Sequence, residues 1–205
     1  MILRKQKLSA AKLAEKQLMK IKIKSSDISI DCGANVGKYT KHLSKNNSSV
    51  YAFEPNPYAF GAISYRFKKF SNVRCINKGV MDREGLMKLY LRKNSSENPL
   101  NWSISSSFMT YNPNLDYESN LEIEVIDLCE FIKSLNSRVK VVKMDIEGAE
   151  VRILKKLIET DLISKIDYMF VEMHDEALPE LRESSNEIRE LIKSKNLNHI
   201  NLDWK

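Results

Sequence analysis

The stretch ISIDCGANVGKYT, residues 28–40, decides the fold of this chain. Ile28 and Ile30 indicate a buried strand, and the letters VGKYTKHLSK that follow are typical of the start of a helix. Gly33 and Gly37 lie between the two, where a backbone must turn tightly or let another group approach closely. A strand, a glycine turn and a helix N-terminus together form the unit with which α/β proteins hold an anion or a nucleotide. We therefore expect a ligand site at this turn.

Length and composition bound the class of protein. The 205 residues suit one domain with some decoration, and the apolar and charged fractions, 42% and 29%, are those of a globular chain. No run approaches the roughly 18 apolar residues of a membrane span, and the lysine-rich start lacks the apolar core of a secretory signal. Three widely spaced cysteines in apolar segments are predicted to be reduced core thiols, so we expect a cytoplasmic protein.

The net charge of +6 is concentrated at one end of the chain. Residues 1–24 carry eight basic residues and one acid, whereas the remainder carries 25 basic and 26 acidic residues. Apolar residues recur in the first segment at helical spacing: Leu8, Ala11, Ala14, Leu18 and Ile21. We expect a basic amphipathic N-terminal helix over 1–24 and a ligand-binding domain over 25–205. The helix either packs on the domain with its lysines in solvent or serves as an arm for an anionic partner or a membrane surface.

The rest of the chain alternates strand and helix signals. Strands are predicted near 27–31, 49–55, 72–77, 138–145, 166–174 and 198–204, with two extra strands at 86–93 and 121–126. Helices are predicted after Val36, over 57–70, from an Asp127 cap to Leu135, after Gly148 and over 184–195. Repeated units of this length predict an α/β fold, a Rossmann-like, doubly wound and mostly parallel sheet.

One segment, 93–120, does not fit this alternation. It is rich in Ser, Asn and Pro and carries four aromatic residues: Trp102, Phe108, Tyr111 and Tyr117. A loop of this length in a compact domain is usually functional or disordered. It is either a lid or substrate loop whose aromatic rings stack on a sugar or a base, or an excursion whose rings pack on the body.

Ligands of open α/β sheets bind at the carboxyl ends of the strands. Glu54 closes the second strand, 21 residues after Gly33, and an ionised carboxylate there suits two ribose hydroxyls. A dinucleotide site requires G-x-G-x-x-G, but here the turn carries GANVG. Asp31 before the turn would repel a pyrophosphate and suits a cationic amine. The expected ligand is a nucleoside joined to an amino acid, which is the form of S-adenosylmethionine (SAM).

Three motifs in order resemble those of a known family. DCGANVG at 31–37, FEPNP at 53–57 and DIEGAE at 145–150 are similar to the motifs of the FkbM family of class I SAM-dependent methyltransferases. The resemblance extends over about 27–175 and implies the class I methyltransferase type of sheet.

The resemblance also implies cofactor contacts. Asp31, Gly33 and Asn35 would surround the methionine part of SAM, and Gly37 would let the helix approach. Glu54 would bind the ribose hydroxyls, Asn56 would lie beside the adenine, and Gly79 would edge the adenine ring. Asp145 would face the sulfonium and its methyl group.

The residues that follow Asp145 supply the catalytic candidates. Methyl transfer is an in-line displacement, and a hydroxyl acceptor needs a general base. His174 is the candidate base and Asp145 its rival, while Glu147 either acts in the site or only favours the next helix N-terminus. Glu150 is expected to be a solvated residue that starts this helix. No dedicated metal site is predicted, although Asp145, Glu147, His174 and Glu172 could converge on a divalent cation such as Mg²⁺.

The resemblance to the FkbM family implies a SAM-dependent O-methyltransferase acting on a hydroxyl of a sugar, glycan or small metabolite. The alternatives are an RNA methyltransferase that uses the basic arm, a non-catalytic nucleotide-binding module, and a dinucleotide-dependent oxidoreductase, which the missing G-x-G-x-x-G disfavours. The chain stops after one apparent final strand, whereas class I methyltransferases usually end with a further antiparallel strand. That strand is absent or supplied by another chain, so a homo-oligomer is a possible assembly.

Overall fold

A computed structural model describes residues 2–93, 100, 106–109, 113–176 and 178–204, with side chains from residue 9 onward. The described residues form six α-helices and nine strands. The helices are α1 Ile2–Lys20, α2 Lys38–Leu43, α3 Pro57–Phe67, α4 Leu128–Ser134, α5 Glu150–Glu159 and α6 Arg182–Ser194. The strands are β1 Ile28–Cys32, β2 Ser49–Phe53, β3 Val73–Ile76, β4 Gly79–Met81, β5 Gly85–Arg92, β6 Leu115–Asp127, β7 Val139–Met144, β8 Ile166–Val171 and β9 Ile200–Asn201.

Six strands form one parallel sheet in the order β3-β2-β1-β7-β8-β9. The chain moves outward from β1 to β3, then returns to the other side of β1 at β7, so the strand order reverses between these two neighbours. Cys32 is in register with Phe53 of β2 and with Met144 of β7. The residues that follow, Gly33, Glu54 and Asp145, therefore share one edge of the sheet. The predicted α/β, doubly wound fold is confirmed, with its switch point at this edge.

A second, three-stranded sheet lies beside the first, in the order β4-β6-β5. The two extra strands predicted from the sequence are β5 and β6, which pair in antiparallel fashion, but the short β4 was not predicted. The predicted loop 93–120 was drawn too long, because residues 115–120 continue β6. The Ser and Asn content of this segment indicates a loop, so the start of β6 was not predicted. Its pairing partner, β5, supplies the apolar contacts. Trp102 and Tyr111 lie outside the described residues.

The two faces of the parallel sheet are covered by different helices. On one face Ile30, Val142, Met144 and Val171 belong to a core that includes α4, α5 and α6. The other face packs against α1 and the last residues of the chain, with Ala14, Leu18, Val141 and Trp204 in one buried cluster. Lys12, Lys16 and Lys20 of α1 are exposed. Within the described ranges, none of the helices has the length and apolar character that crossing a membrane requires.

Candidate active site

The two glycines of the first motif allow two close approaches. Gly33 has a φ of 72°, and a Cβ atom there would lie 1.8 Å from the carbonyl oxygen of Asp145. Gly37 has a φ of 81°, and a Cβ atom there would lie 2.5 Å from the ring of Phe67 and 2.9 Å from Ile63 of α3. Only glycine meets both conditions, a left-handed backbone and no side chain. The motif thus brings the end of β1 against the end of β7 and admits α3.

Glu54 connects this turn to the end of β2. Its side chain is buried, with Oε2 accepting a hydrogen bond from Asn35 N at 2.7 Å and Oε1 accepting one from Asn56 N at 2.8 Å. Each carboxylate oxygen has further acceptor capacity, so both can also accept a hydroxyl. Burial raises the pKa of Glu54 to about 7, although the two backbone hydrogen bonds oppose this shift. The two oxygens of Glu54 are therefore held in place as hydrogen-bond acceptors in the wall of the site.

A cleft opens along the shared edge of the sheet. It encloses about 690 Å³ of space counted out to its solvent-open mouth. Five residues predicted from the sequence line it: Gly33, Asn35, Glu54, Asp145 and Glu147. Five others complete the wall: Pro55, Val80, Ser106, Phe108 and Ile146. The additional residues come mainly from the second sheet and the segment 106–109, which is anchored by a 2.7 Å hydrogen bond from Ser107 Oγ to the Glu147 carbonyl.

Four predicted cofactor residues lie behind the wall of the cleft. Asp31 is buried and accepts a 2.6 Å hydrogen bond from Thr40 Oγ1. Asn56 is the N-cap of α3, and its Nδ2 donates to Ser106 Oγ at 3.2 Å. Gly79 makes room for Phe108, whose ring lies 2.5 Å from the position of an added Cβ atom. Gly37 lets α3 pack closely against the turn. These residues shape the lining rather than form it.

Three carboxylates surround one imidazole beside this cleft, and two of them, Asp145 and Glu147, line it. The group Asp145, Glu147, Glu150 and His174 is called the His174 cluster below. His174 Nε2 lies 3.4 Å from Glu147 Oε2 and 3.8 Å from Asp145 Oδ1, while Nδ1 lies 3.0 Å from Glu150 Oε1. The cluster joins the end of β7 to the segment after β8.

The expectation of a solvated Glu150 was wrong. Its side chain is 1% exposed, and its oxygens accept hydrogen bonds from Ile146 N at 3.0 Å and Gly148 N at 2.9 Å. The loop before α5 folds back over the first turn of the helix and needs an acceptor for its amides. A carboxylate at the helix start meets that need and also holds His174.

Comparisons with known proteins agree with this arrangement of motifs. Residues 31–198 match the Methyltransferase FkbM domain. The chain belongs to the FkbM methyltransferase family. A search of curated proteins found no match.

This FkbM chain is similar to several solved structures. A methyltransferase FkbM from Methylobacillus flagellatus KT has a TM-score of 0.50 at 16% identity, covering 82% of this chain and 38% of that one. This likeness shows the fold, and the chain spans only 38% of the length of that relative. An rRNA methylase from Streptococcus thermophilus has a TM-score of 0.46 at 13% identity, covering 88% and 76%. TrmK from M. capricolum, solved with S-adenosylhomocysteine, has a TM-score of 0.37 at 14% identity, covering 76% and 49%.

The charges in the FkbM cleft make His174 a cation. Burial alone would lower the pKa of His174, but the charge and hydrogen bond of Glu150, followed by the charges of Glu147 and Asp145, outweigh it and raise the pKa to about 10. An imidazolium has no lone pair with which to accept a proton. At neutral pH, His174 therefore donates toward the surrounding carboxylates.

Glu147 has the properties of a proton acceptor in the same FkbM cleft. Burial raises the pKa of Glu147 to about 7, against the opposing charge of His174. Its backbone is left-handed, with a φ of 58°, a conformation that costs a non-glycine residue about 1–3 kcal/mol and clusters at functional sites. Glu172, at the end of β8, also has a raised pKa because of burial, but it is not part of the lining.

The His174 cluster also has ligand atoms at metal-binding spacing. Among the residues described, Asp145, Glu147 and His174 offer one ligand atom each within 4.8 Å of one another, and Glu172 is not in this set. A carboxylate such as Glu150 on the far ring nitrogen is usual for a metal-bound histidine. Mg²⁺ prefers oxygen ligands, whereas imidazole suits ions such as Zn²⁺ or Fe²⁺. The donor set therefore fits Mg²⁺ less well than the sequence implied.

Proposed function

We propose that this FkbM domain is a SAM-dependent methyltransferase that methylates a hydroxyl of a sugar, glycan or small metabolite. The observation that carries the proposal is the placement of Glu54 and the Asp145–Glu147 segment on one cleft beside the glycine turn. SAM, when bound, supplies a methyl group on a sulfonium centre, and transfer to a hydroxyl leaves S-adenosylhomocysteine and one proton. The chain must therefore bind a nucleoside, align an acceptor and take up that proton.

Glu54 anchors the nucleoside end of the ligand in this proposal. Both of its oxygens are already oriented by backbone amides, so they can receive two vicinal ribose hydroxyls without further ordering. Val80, Pro55 and Phe108 form the apolar wall on which an adenine would lie. Gly33 and Asn35 border the space for the methionine part. The other four predicted cofactor residues do not line the cleft but support its wall: Asp31, Gly37, Asn56 and Gly79.

Glu147 takes the proton of the acceptor hydroxyl in this proposal. It lines the cleft, and a carboxyl with a pKa of about 7 is matched to proton transfer near neutral pH. Asp145 places a negative charge beside the sulfonium. His174, predicted as the base, is assigned instead as the cation that holds these two carboxylates in place.

The second candidate role of the His174 cluster is to bind a divalent cation, and the spacing of Asp145, Glu147 and His174 favours this role. An ion there would replace the proton of His174 and acidify the acceptor hydroxyl. The two accounts differ in their response to chelation. Activity that survives EDTA supports Glu147 as base, whereas activity lost to EDTA and restored by Zn²⁺, Fe²⁺ or Mg²⁺ supports the ion.

The first experiment is calorimetric titration with SAM and S-adenosylhomocysteine. Glu54→Gln should abolish or strongly weaken binding, because an amide can offer only one acceptor oxygen. Glu122→Gln, on the exposed side of β6, is the matched control and should bind like the wild type. Lack of binding to the wild type would overturn the proposal. Binding would be followed by a screen of sugars, glycans and small hydroxyl compounds with methyl-labelled SAM.

The remaining expectations from the sequence stay predictions. The three cysteines are free thiols, which suits the cytoplasmic location expected above. Assembly as a homo-oligomer is tested by light scattering of the purified chain. Use of the basic α1 on RNA would make binding fall steeply with salt.

A further inference from the structure

Lys143 is a buried cation that the proposed chemistry does not use. It lies in β7, two residues before Asp145, and is 2% exposed. Its Nζ donates to Gly33 O at 2.7 Å and to Cys32 O at 3.3 Å. The same atom lies 3.4 Å from Asp31 Oδ1 and 3.6 Å from Asp145 Oδ2. One ammonium group thus contacts both the glycine turn and the residue predicted to face the sulfonium.

The surroundings of Lys143 exclude water and keep the charge. Trp204 covers it with the ring centroid 5.1 Å from Nζ, and Tyr39 lies at 5.8 Å, packed edge to face on Trp204. Burial alone would lower the pKa of Lys143, but the charges of Asp31 and Asp145 outweigh it and raise the pKa to about 12. A buried charge is tolerated only when it is paired and hydrogen-bonded, so these contacts are required rather than incidental.

The contacts of Lys143 constrain the two parts of the cleft that face the methionine end. The carbonyls of Cys32 and Gly33 point toward Nζ, which fixes the peptide planes of the turn. Asp145 is held from both sides, because Oδ2 faces Lys143 and Oδ1 faces His174 Nε2 at 3.8 Å. The rotation of this carboxylate in the cleft is therefore set by two cations of the chain itself.

We propose that Lys143 is a positioning residue of the cofactor site. Its ammonium group holds the glycine turn and the Asp145 carboxylate in the arrangement that receives the methionine end of the ligand. The inference rests on the proposed function, since it concerns the same cleft.

The competing account gives Lys143 a structural role only. In that account it merely compensates the buried Asp31, whose other oxygen is satisfied by Thr40. The shortest contact of Nζ, however, is to Gly33 O and not to either carboxylate. Because Gly33 belongs to the turn that lines the cleft, the hydrogen bond that satisfies the ammonium group also holds the turn, and this favours a role in positioning it.

Three variants separate the two accounts. Lys143→Met alone leaves Asp31 buried without its partner and is expected to lower the melting temperature strongly. Asp31→Asn with Lys143→Met removes both charges and should restore folding. Asp31→Asn alone keeps the contacts of Lys143 to Gly33 and Asp145. Lys140→Met, on the same strand, is the matched control, because Lys140 pairs with Asp167 away from the cleft at 3.1 Å.

The measurements are thermal melting and the dissociation constants of SAM and S-adenosylhomocysteine by calorimetry. Asp31→Asn alone gives the effect of losing that carboxylate, and we expect the double variant to fold but to bind SAM about tenfold or more weakly than Asp31→Asn, while Lys140→Met binds within about twofold of the wild type. A folded double variant that binds SAM as tightly as Asp31→Asn would overturn the inference. If the wild type does not bind SAM, the proposed function falls and the inference falls with it.

Discussion

His174 and Glu147 are in direct contact, with Nε2 of the histidine 3.4 Å from Oε2 of the glutamate. Each controls the protonation of the other. The charge of His174 lowers the pKa of Glu147 against the effect of burial, and the charge of Glu147 helps to raise the pKa of His174 to about 10. This relationship permits a direct test of the proposed roles.

We expect the Glu147 carboxyl to titrate near pH 7 in the wild type and at higher pH in His174→Gln. The reason is that the substitution removes the opposing positive charge while burial persists. The measurement is an NMR titration of ¹³C-labelled glutamate carboxyls, with Glu147→Gln used to assign the signal. A Glu147 titration unchanged by loss of His174 would contradict the charge coupling.

Stability should fall as the pH rises toward 10, because His174 loses its proton. Its pKa is about 10 in the folded chain and 6.5 for the unperturbed side chain. The stabilisation is therefore complete below about pH 6.5 and is lost between that value and about pH 10. Urea denaturation at several pH values measures the free energy of unfolding. In His174→Gln, the free energy of unfolding should change less over this pH range. A decline as steep as that of the wild type would show that other groups cause it.

Gly33→Ala should be strongly destabilising. The new Cβ would lie 1.8 Å from the backbone oxygen of Asp145, and the φ of 72° is strained for alanine. Backbone strain alone costs about 1–3 kcal/mol, and the clash adds to it. Gly61→Ala is the control, because Gly61 lies in α3 with no atom within 4 Å of an added Cβ. The free energy of unfolding of Gly61→Ala, measured by urea denaturation, should rise by about 0.5–1 kcal/mol. Equal changes in the free energy of unfolding of the two variants would show that the close approach does not require glycine at position 33.

Asn56 offers a test of whether a motif residue binds the ligand or shapes the wall. Asn56→Ala should cost about 1 kcal/mol of unfolding free energy through loss of the α3 N-cap, whereas Asn56→Asp keeps a capping oxygen and most of the stability. Neither should change the SAM dissociation constant by more than about twofold, since the side chain lies behind the lining. A stable Asn56→Asp with about tenfold weaker binding would instead indicate direct contact.

Much of the site could be predicted from local signals. Gly33, Glu54 and Asp145 each lie at or just beyond the end of a predicted strand, and parallel strands place such residues on one edge. Lys143 also left a signal that was missed: a lysine inside the apolar run VVKMD requires a charged partner on the strand beside it. Ser106 and Phe108 lie in the segment 93–120 predicted as a lid or substrate loop, and Val80 follows Gly79. That these three residues line the cleft could not be predicted, because their positions depend on a second sheet whose β4 strand has only three residues.

The sequence by itself determined the succession of helices and strands of the parallel sheet, the glycine turn, the Asp127 cap of α4 and the family, because these depend on residues that are neighbours in the chain. Only the tertiary structure decided the surroundings of the charged groups, on which their protonation depends. Lys143 and Gly33 are 110 residues apart, and Glu150 and His174 are 24 apart. The energy of a buried charge depends on which distant partners surround it and on how far water is excluded, and neither is a local property of the sequence.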